Sequence, residues 1–234
     1  MNPIFIWNAR GVGERVKADF IVSEAKKNKV KVVVILKHKN NSMKINEFTH
    51  NLKLHASMHA DPINKFICIF WHKEVSVKLI HVGDQHVTTR VSCGGDSLII
   101  SFIYGSCDAR KREELWSELS AFDPRDQPWV VGGDFNIVSD SEEKKGRGGF
   151  PRRASRAFGQ FMAGKGLLDL GYSGDPLTWF NNQRGFSHCW SWLDLCLSNV
   201  QAISRFPEAK VKHLTRNIYD HSPLLISLIR REAP

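Results

Sequence analysis

The stretch WVVGGDFNIVSD, residues 129–140, places two polar side chains at the end of an apolar run. The letters WVV predict a buried strand, and in a strand positions i and i+2 point to the same side. Asp134 and Asn136 would therefore present a carboxylate and an amide together, as in hydrolytic sites. Gly132 and Gly133 carry no side-chain bulk, which lets a ligand or another backbone come close. An Asp/Asn turn after a strand is the alternative interpretation.

Polar residues of the same kind end several other predicted strands. Asn8 ends the first strand, Tyr104 ends LIISFIY, and Asp194 lies inside WLDLCL. Asp220 and His221 precede the last strand, PLLISLI. Such residues can converge on one rim of a sheet, where sites are built. Taken singly, each also has a structural interpretation, as a cap, a core aromatic or a hydrogen-bonded buried group.

Strands and helices alternate along the chain without a repeat or a clear linker. Apolar and β-branched runs predict strands at residues 3–8, 30–36, 66–71, 75–82, 86–92, 97–104 and 129–136, and in LTWFNN, WLDLCLSN and SPLLISLI. Apolar spacing predicts helices at 12–28, 109–122 and 153–166, with a charged, glycine-rich loop at 140–153. The pattern favours one α/β domain over residues 1–234 with mostly antiparallel pairing.

The composition favours a polyanionic partner. There are 33 lysines and arginines against 24 acidic residues, a formal charge of +9, and nucleic acid is the leading candidate. The five cysteines show no CxxC pair or zinc-type spacing, which fits a reducing compartment. No apolar run approaches the roughly 20 residues that span a membrane, and no signal peptide is evident. We expect an intracellular monomer, nuclear or cytoplasmic, that does not enter membranes.

Six stretches in a fixed order resemble one known group of proteins. They are WNARGVG (7–13), FIYG (102–105), WVVGGDFN (129–136), GLLDLGYSGDPLTW (166–179), WLDLCLSN (192–199) and DHSPLLISL (220–228). The chain resembles the endonuclease/exonuclease/phosphatase superfamily, and most closely the apurinic-like endonuclease domain of plant LINE-type, non-LTR retrotransposons. This resemblance implies a four-layer α/β/β/α sandwich, with two mostly antiparallel sheets packed face to face and helices outside.

The resemblance also implies Mg²⁺-dependent cleavage of phosphodiester bonds in DNA, with Mn²⁺ as a substitute cofactor. Asn8 and Asp220 would lie at the metal, and Tyr104 would contact the scissile phosphate. Mg²⁺ prefers oxygen ligands and keeps several waters, so few protein ligands suffice. A divalent cation and hydrogen-bond donors would stabilise the charge that a phosphodiester gains as water attacks.

Four further residues would carry the attack of water, as the resemblance implies. Asp134 would orient or deprotonate the water, and Asn136 would hold that water or the phosphate. Asp194 would orient His221, and His221 would stabilise the phosphorane-like transition state. A histidine with a carboxylate partner keeps one tautomer and an elevated pKa, which suits this role.

One position departs from the resembling proteins. They place a glutamate, their principal metal ligand, at the end of the second core strand, where this chain has Lys37 in VVVILKHKNN. A charged lysine supplies no ligand and repels a divalent cation. Leu195 in place of a common arginine and Tyr219 in place of a common serine are smaller departures.

Three interpretations stay open. The chain is a Mg²⁺-dependent endonuclease that uses Asn8, Asp134 and Asp220 at the metal, or a catalytically impaired pseudo-nuclease that keeps nucleic-acid binding. In the third interpretation it acts on a small phosphoester, as inositol phosphatases of the superfamily do. The third is the weakest, because the segment after GDFN lacks their arginine and the net charge favours a long polyanion.

Two further features could contact nucleic acid. Basic residues of the predicted loop could follow a DNA backbone through phosphate contacts, and these are Lys144, Lys145, Arg147, Arg152 and Arg153. A solvated loop, with Glu142 and Glu143 offsetting part of the charge, is the alternative. Trp179 could press against a minor groove or a flipped nucleotide, although packing in the core is the favoured interpretation.

Overall fold

The computed structural model describes residues 3–11, 14–38, 50, 56–59, 64, 66–217 and 219–230, with 56–59 described by their backbone. The strands are Ile4–Asn8 (β1), Val32–Leu36 (β2), Ala56–His59 (β3), Ile67–Trp71 (β4), Ser76–Val82 (β5), His86–Cys93 (β6), Asp96–Tyr104 (β7), Trp129–Asp134 (β8), Lys144–Gly146 (β9), Leu168–Asp169 (β10), Trp179–Phe180 (β11), Cys189–Ser191 (β12), Asp194–Ser198 (β13), Lys210–His213 (β14) and Leu224–Ser227 (β15). The helices are Arg15–Lys27 (α1), Ala109–Ala121 (α2), Arg152–Gly164 (α3) and Val200–Arg205 (α4).

These strands form two six-stranded sheets and one three-stranded sheet. The first large sheet has the order β14-β15-β1-β2-β4-β3, the second has the order β10-β13-β8-β7-β6-β5, and the small sheet has the order β11-β12-β9. Among these pairs of described strands, only β1–β2 and β7–β8 run parallel. The prediction of mostly antiparallel pairing is therefore confirmed.

The alternation of side chains along a strand explains how each large sheet is covered on both faces. In β1, Ile6 packs into the core between the two large sheets, which also contains Phe102 of β7. Its neighbour Phe5 points to the opposite face and packs with Ile21 of α1. One strand of the first sheet thus contributes both to the central core and to the contact with a helix.

The second sheet has the same arrangement. In β8, Val130 faces the core between the sheets. The next residue, Val131, lies in the outer cluster with Trp116 of α2 and Phe158 of α3. The layers therefore follow the order helix, sheet, sheet, helix, which confirms the predicted four-layer α/β/β/α sandwich. No helix in the described part of the chain is long and apolar enough to cross a membrane.

Short elements account for the differences from the predicted secondary structure. The predicted loop at 140–153 contains a 3₁₀ turn, Ser141–Glu143, followed by β9. The strand β9 pairs with β12, which follows it much later in the chain. Three-residue strands carry no periodic signal of their own, so pairing with a distant partner decides their conformation.

Gly133 must be glycine because of both its backbone conformation and its neighbours. Its φ is +141°, and an added Cβ atom would lie 2.2 Å from the carbonyl oxygen of Ile103. We expect Gly133→Ala to lower the free energy of unfolding by about 3 kcal/mol, because the strand that ends at Asp134 must shift. Urea unfolding followed by circular dichroism measures this change.

The matched control is Gly159→Ala in α3. Apart from its chain neighbours and the backbone of its own helix, no described residue has an atom within 4 Å of a Cβ added at Gly159, and alanine favours helix over glycine. This control should leave the free energy of unfolding unchanged or raise it by up to about 1 kcal/mol. Equal stabilities for the two variants would contradict the steric requirement at Gly133.

Candidate active site

The second sheet places three of the predicted site residues side by side. Tyr104 is paired with Asp134 across β7 and β8, and Asp134 is paired with Asp194 across β8 and β13. Asn8 comes from the end of β1 in the facing sheet, and its Nδ2 donates a hydrogen bond to Asp134 Oδ2 over 2.8 Å. The strand ends of both sheets therefore meet at Asp134.

His221 enters this cluster from the segment before β15. Trp7 Nε1 donates to the backbone oxygen of His221 over 3.0 Å, and the backbone of His221 forms an antiparallel bridge with Trp179. His221 Nδ1 lies 3.0 Å from Asp194 Oδ2, and Nε2 lies 3.7 Å from Asp134 Oδ2. Because an ionised carboxylate only accepts hydrogen bonds, the Nδ1 atom of His221 carries a proton and donates it.

Asn136 reaches the cluster by a turn and not by strand alternation. The strand β8 ends at Asp134, and Asn136 has a left-handed conformation with φ +48°. Its backbone N–H donates to Asp134 Oδ1 over 3.0 Å, and its Nδ2 donates to Asp134 Oδ2 over 3.1 Å and to the oxygen of Gly105 over 2.8 Å. The predicted meeting of the two side chains is found, whereas the predicted extended geometry is wrong.

Burial sets the ionisation of the central pair. Asp134 and His221 are 0% and 1% exposed. Burial raises the pKa of Asp134 to about 6, although His221 and the hydrogen bonds from Asn8 and Asn136 oppose this rise. Burial lowers the pKa of His221, but the nearby carboxylates of Asp194 and Asp134 outweigh it and raise that pKa to about 9. At neutral pH the site holds an imidazolium next to a carboxylate.

Tyr104 borders the cluster as a half-buried hydrogen-bond donor. Burial and the charge of Asp134 raise the pKa of its hydroxyl to about 12, so the hydroxyl stays protonated. The ring of Tyr104 lies 5.2 Å from the ring of Phe66, and Lys37 Nζ lies 5.8 Å from the centre of the Tyr104 ring. The hydroxyl can therefore donate to an anionic group at the rim of the site.

The predicted metal residues, Asn8 and Asp220, lie at this end of the sheets. Asn8 Oδ1 is buried and has no hydrogen-bond partner among the described residues, so one oxygen ligand is open. Asp220 Oδ2 lies 2.6 Å from Arg10 Nε in a close ion pair whose angles are not those of a hydrogen bond. These two oxygens suit a divalent ion that keeps most of its waters.

Lys37 occupies the position where the resembling proteins have glutamate. It directly follows Leu36, which is paired with Asn8 across β1 and β2. Asp134, Asp194 and His221 also hold ligand atoms within 4.8 Å of one another, but they already contact each other. The residues present therefore fit a weakly held ion at Asn8 and Asp220, with a repulsive charge at Lys37.

Sequence patterns did not single out two residues that support the site. Thr178 Oγ1 accepts hydrogen bonds from the backbone N–H groups of Leu193 and Asp194, each over 3.1 Å, and thereby fixes the start of β13. Arg10 holds Asp220. Both residues lie inside stretches that carried the family resemblance, GDPLTW and WNARG, and that was the only signal for them in the sequence.

Of the two features expected to contact nucleic acid, Trp179 lies next to the cluster and the basic residues lie on the surface. Trp179 is half-buried, and its ring centre lies 6.5 Å from that of His221, so it lies at the site and not in a buried core. Among the basic residues, Lys144 is half-buried in β9, and the other four are exposed on the surface, namely Lys145, Arg147, Arg152 and Arg153. These four side chains remain accessible to a polyanion.

Comparisons with known structures identify the same architecture elsewhere. The endonuclease domain of TRAS1, a telomere-specific non-LTR retrotransposon, is similar with a TM-score of 0.69 and 13% identity, over 100% of both chains. An AP endonuclease from Archaeoglobus fulgidus has a TM-score of 0.69 and 16% identity, over 97% of this chain and 99% of its own. A beta toxin mutant from Staphylococcus aureus with bound magnesium ions has a TM-score of 0.67 and 14% identity, over 96% and 98%.

The sequence comparison agrees with the structural one. No curated protein sequence matches the chain significantly. The Endonuclease/Exonuclease/phosphatase family, by contrast, matches residues 7–208, which is most of the chain and includes the strand ends that meet at Asp134. The four-layer fold and the cluster at Asp134 agree with this match, and the chain belongs to the Endonuclease/Exonuclease/phosphatase family.

Proposed function

We propose that this protein hydrolyses phosphodiester bonds in nucleic acid, and in DNA first, with Mg²⁺ as cofactor and Mn²⁺ as a substitute. One observation carries the proposal. A buried network of hydrogen bonds and one ion pair joins Asp194, His221, Asp134 and Asn8 at the ends of strands from both sheets. The similar structures named as endonucleases and the formal charge of +9 support a nucleic-acid substrate.

Asp134 and Asn136 would position the attacking water. The oxygen of water forms a bond to phosphorus while the bond from phosphorus to the leaving oxygen breaks, and the leaving oxygen takes up a proton from solvent. The proton of the water passes to the carboxylate of Asp134, whose pKa of about 6 suits a base at neutral pH. The side chain of Asn136 is fixed by the oxygen of Gly105, so it can hold the water or a phosphate oxygen without reorganising.

His221 would stabilise the negative charge that develops on the phosphate oxygens. Asp194 holds its Nδ1, so the Nε2 side of the ring faces Asp134 and the reacting group. With a pKa of about 9, the ring is protonated at neutral pH and carries a positive charge. A buried, preorganised cation of this kind stabilises a transition state more than it would in water.

A divalent ion would be held by Asn8 Oδ1 and the carboxylate of Asp220. It would supply positive charge that offsets the charge of the phosphate oxygens. The hydroxyl of Tyr104 would donate a hydrogen bond to the same phosphate. The guanidinium of Arg10 lies on Oδ2 of Asp220 and would weaken this carboxylate as a ligand, because its charge is partly neutralised already.

A second candidate is nucleic-acid binding without hydrolysis. Lys37 and the Arg10–Asp220 pair favour it, since both place positive charge where a metal would lie. The two candidates differ in one measurement. Cleavage of an end-labelled DNA duplex should occur in Mg²⁺ and stop in EDTA if the first is right, whereas binding of that duplex without cleavage in either buffer supports the second.

Lys37→Glu should raise the affinity for a divalent ion by about tenfold or more, because it exchanges a repulsive charge for an oxygen ligand. Electron paramagnetic resonance of added Mn²⁺ measures this affinity directly. Lys29→Glu is a matched control, since Lys29 is also a lysine with positive φ, at +52° against +54° for Lys37, but lies after α1. Equal Mn²⁺ affinities for the two variants would show that Lys37 does not border a metal site.

A further inference from the structure

A cavity of about 540 Å³ opens directly beside Tyr104, and His221 is not part of its lining. Its lining includes two aromatic rings, two lysines and an exposed thiol, which are Phe66, Tyr104, Lys37, Lys111 and Cys107. Its volume falls within the range of small-molecule sites, which is roughly 300–1,000 Å³. The proposed hydrolysis of a phosphodiester uses only the edge of this cavity, at Tyr104.

The two aromatic rings form a surface suited to a flat, apolar group. Phe66 is 42% exposed although it is a large apolar side chain next to a buried core. Its ring centre lies 5.2 Å from that of Tyr104, with the planes inclined by 48°. Aromatic faces of this kind stack with nucleic-acid bases, and this stacking tolerates any base because every base has a flat ring face.

The charges of the cavity suit a nucleotide better than a simple anion. Lys111 provides a cation that can contact a phosphate. The carboxylates of Asp84 and Glu114 line the same cavity and would repel a second phosphate, but they can accept hydrogen bonds from an amino group. A nucleotide combines a ring face, hydrogen-bond donors on its base and one phosphate, so it matches all three features.

The wall of the cavity is fixed by hydrogen bonds before any ligand arrives. Gln85 Oε1 accepts from the backbone N–H of Ser106 over 2.7 Å, and Gln85 Nε2 donates to the oxygen of Lys111 over 2.6 Å. The backbone N–H of Tyr104 donates to the oxygen of Gln85 over 2.8 Å. A ligand would therefore find its contacts in place, which lowers the entropic cost of binding.

Cys107 connects the cavity to the catalytic cluster. Its Sγ lies 3.7 Å from Asn136 Oδ1, and Asn136 in turn contacts Asp134. A nucleotide that contacts Cys107 would thus be separated by the side chain of Asn136 from Asp134, which is proposed to activate water. A substrate strand that passes Tyr104 can place one phosphate at His221 and the adjacent nucleoside in the cavity.

We propose that this cavity binds the nucleotide unit next to the scissile phosphate, with its base against Phe66 and Tyr104 and its phosphate near Lys111. The inference rests on the proposed function, since it names the part of the substrate that lies beside the reacting group. A base that stacks on Phe66 must leave its neighbours in a duplex. The preferred substrate is therefore single-stranded or locally unpaired at this nucleotide.

The test measures binding in EDTA, without metal and without turnover. The probe is a dinucleoside monophosphate, compared with a counterpart that lacks one base. Binding is read from protection of Cys107 against alkylation, with the modified peptide identified by mass spectrometry. This thiol is exposed, whereas Cys68, Cys189 and Cys196 are buried. We expect the complete probe to bind about tenfold more tightly than the counterpart.

Variants of the cavity connect that difference to Phe66. Phe66→Ala should weaken binding of the complete probe by about tenfold and abolish the difference between the two probes. Phe66→Trp should restore both, which excludes a loss of folding as the cause. Lys78→Ala, on β5 and outside the cavity, should bind like the unchanged protein.

Two results would overturn the inference. One is equal protection of Cys107 by the two probes in the unchanged protein, including no protection by either. The other is a base preference that persists in Phe66→Ala. If the protein shows the expected base preference but cleaves no DNA in Mg²⁺, the nucleotide site is supported and the proposed hydrolysis is wrong. Failure of the inference and failure of the proposed function therefore give different results.

Discussion

Replacing His221 with alanine should lower the rate of phosphodiester cleavage by about 10³-fold. The imidazolium is buried, lies 3.7 Å from Asp134 and is held by Asp194 over 3.0 Å, so its charge is available without reorganisation. Asp194→Asn should cause a large part of the same loss, because the amide cannot support the protonated ring equally well. Single-turnover cleavage of an end-labelled DNA strand in Mg²⁺ measures both rates.

The double variant tests whether the two residues act as one unit. If Asp194 works through His221, then adding Asp194→Asn to His221→Ala should cause little further loss. His72→Ala is the control, because His72 follows β4 at the end of the first sheet remote from Asn8. A loss of less than tenfold in His221→Ala would remove this residue from the chemistry.

Replacing Asp134 with asparagine should abolish most activity and change how stability depends on pH. The rate should fall by about 10³-fold, since the amide cannot take a proton from water. Relative to the unchanged protein, the variant should gain about 1–3 kcal/mol in free energy of unfolding between pH 4 and pH 7, because the raised pKa of about 6, against an ordinary 3.8, means that the folded protein disfavours the ionised carboxylate. The amide oxygen can accept from the backbone of Asn136, whereas the amide NH₂ would face the Nδ2 donors of Asn8 and Asn136, a cost that is the same at every pH.

The pH dependence of this stabilisation has a definite sign. Because the folded-state pKa is raised, the ionised group costs stability above pH 6 and costs nothing where the group is neutral in both states, below about pH 3.8. The advantage of Asp134→Asn should therefore grow as the pH rises from about 4 to 6 and stay constant above. Urea unfolding of both proteins across this range measures it, and an advantage that is equal at pH 4 and pH 7 would contradict the burial effect.

The fold was predictable where single segments carry enough signal. The run VKVVVIL forms the buried strand β2, and the apolar face with Leu115 and Leu119 forms α2. The order of strands within the sheets was not derivable from these patterns, because β1 pairs with β15 from the other end of the chain. The four-layer architecture came from the family resemblance. That residues 1–234 form one domain, and that the protein is a monomer, stay predictions.

The site was predictable to the extent that its residues end recognisable strands. Asp134, Asp194 and His221 were found because each lies in or beside an apolar run, and the structure brings them into hydrogen-bonding or ionic contact. Arg10 and Phe66 were missed, since their surroundings depend on residues far away in the chain. The local sequence pattern predicts which polar side chains lie at strand ends. The contacts of those side chains depend on the folded arrangement of distant segments.

The most direct measurement is the conversion of supercoiled plasmid to nicked circles by the purified protein in Mg²⁺, beside His221→Ala, Asp134→Asn and Lys37→Glu prepared in the same way. We expect nicking by the unchanged protein that stops in EDTA, falls by about 10³-fold in the first two variants and rises in Lys37→Glu. Nicking that is equal in the unchanged protein and in His221→Ala would contradict a hydrolytic site at Asp134 and His221. If none of the four proteins nicks the plasmid but all still bind it, the protein binds nucleic acid without hydrolysing it.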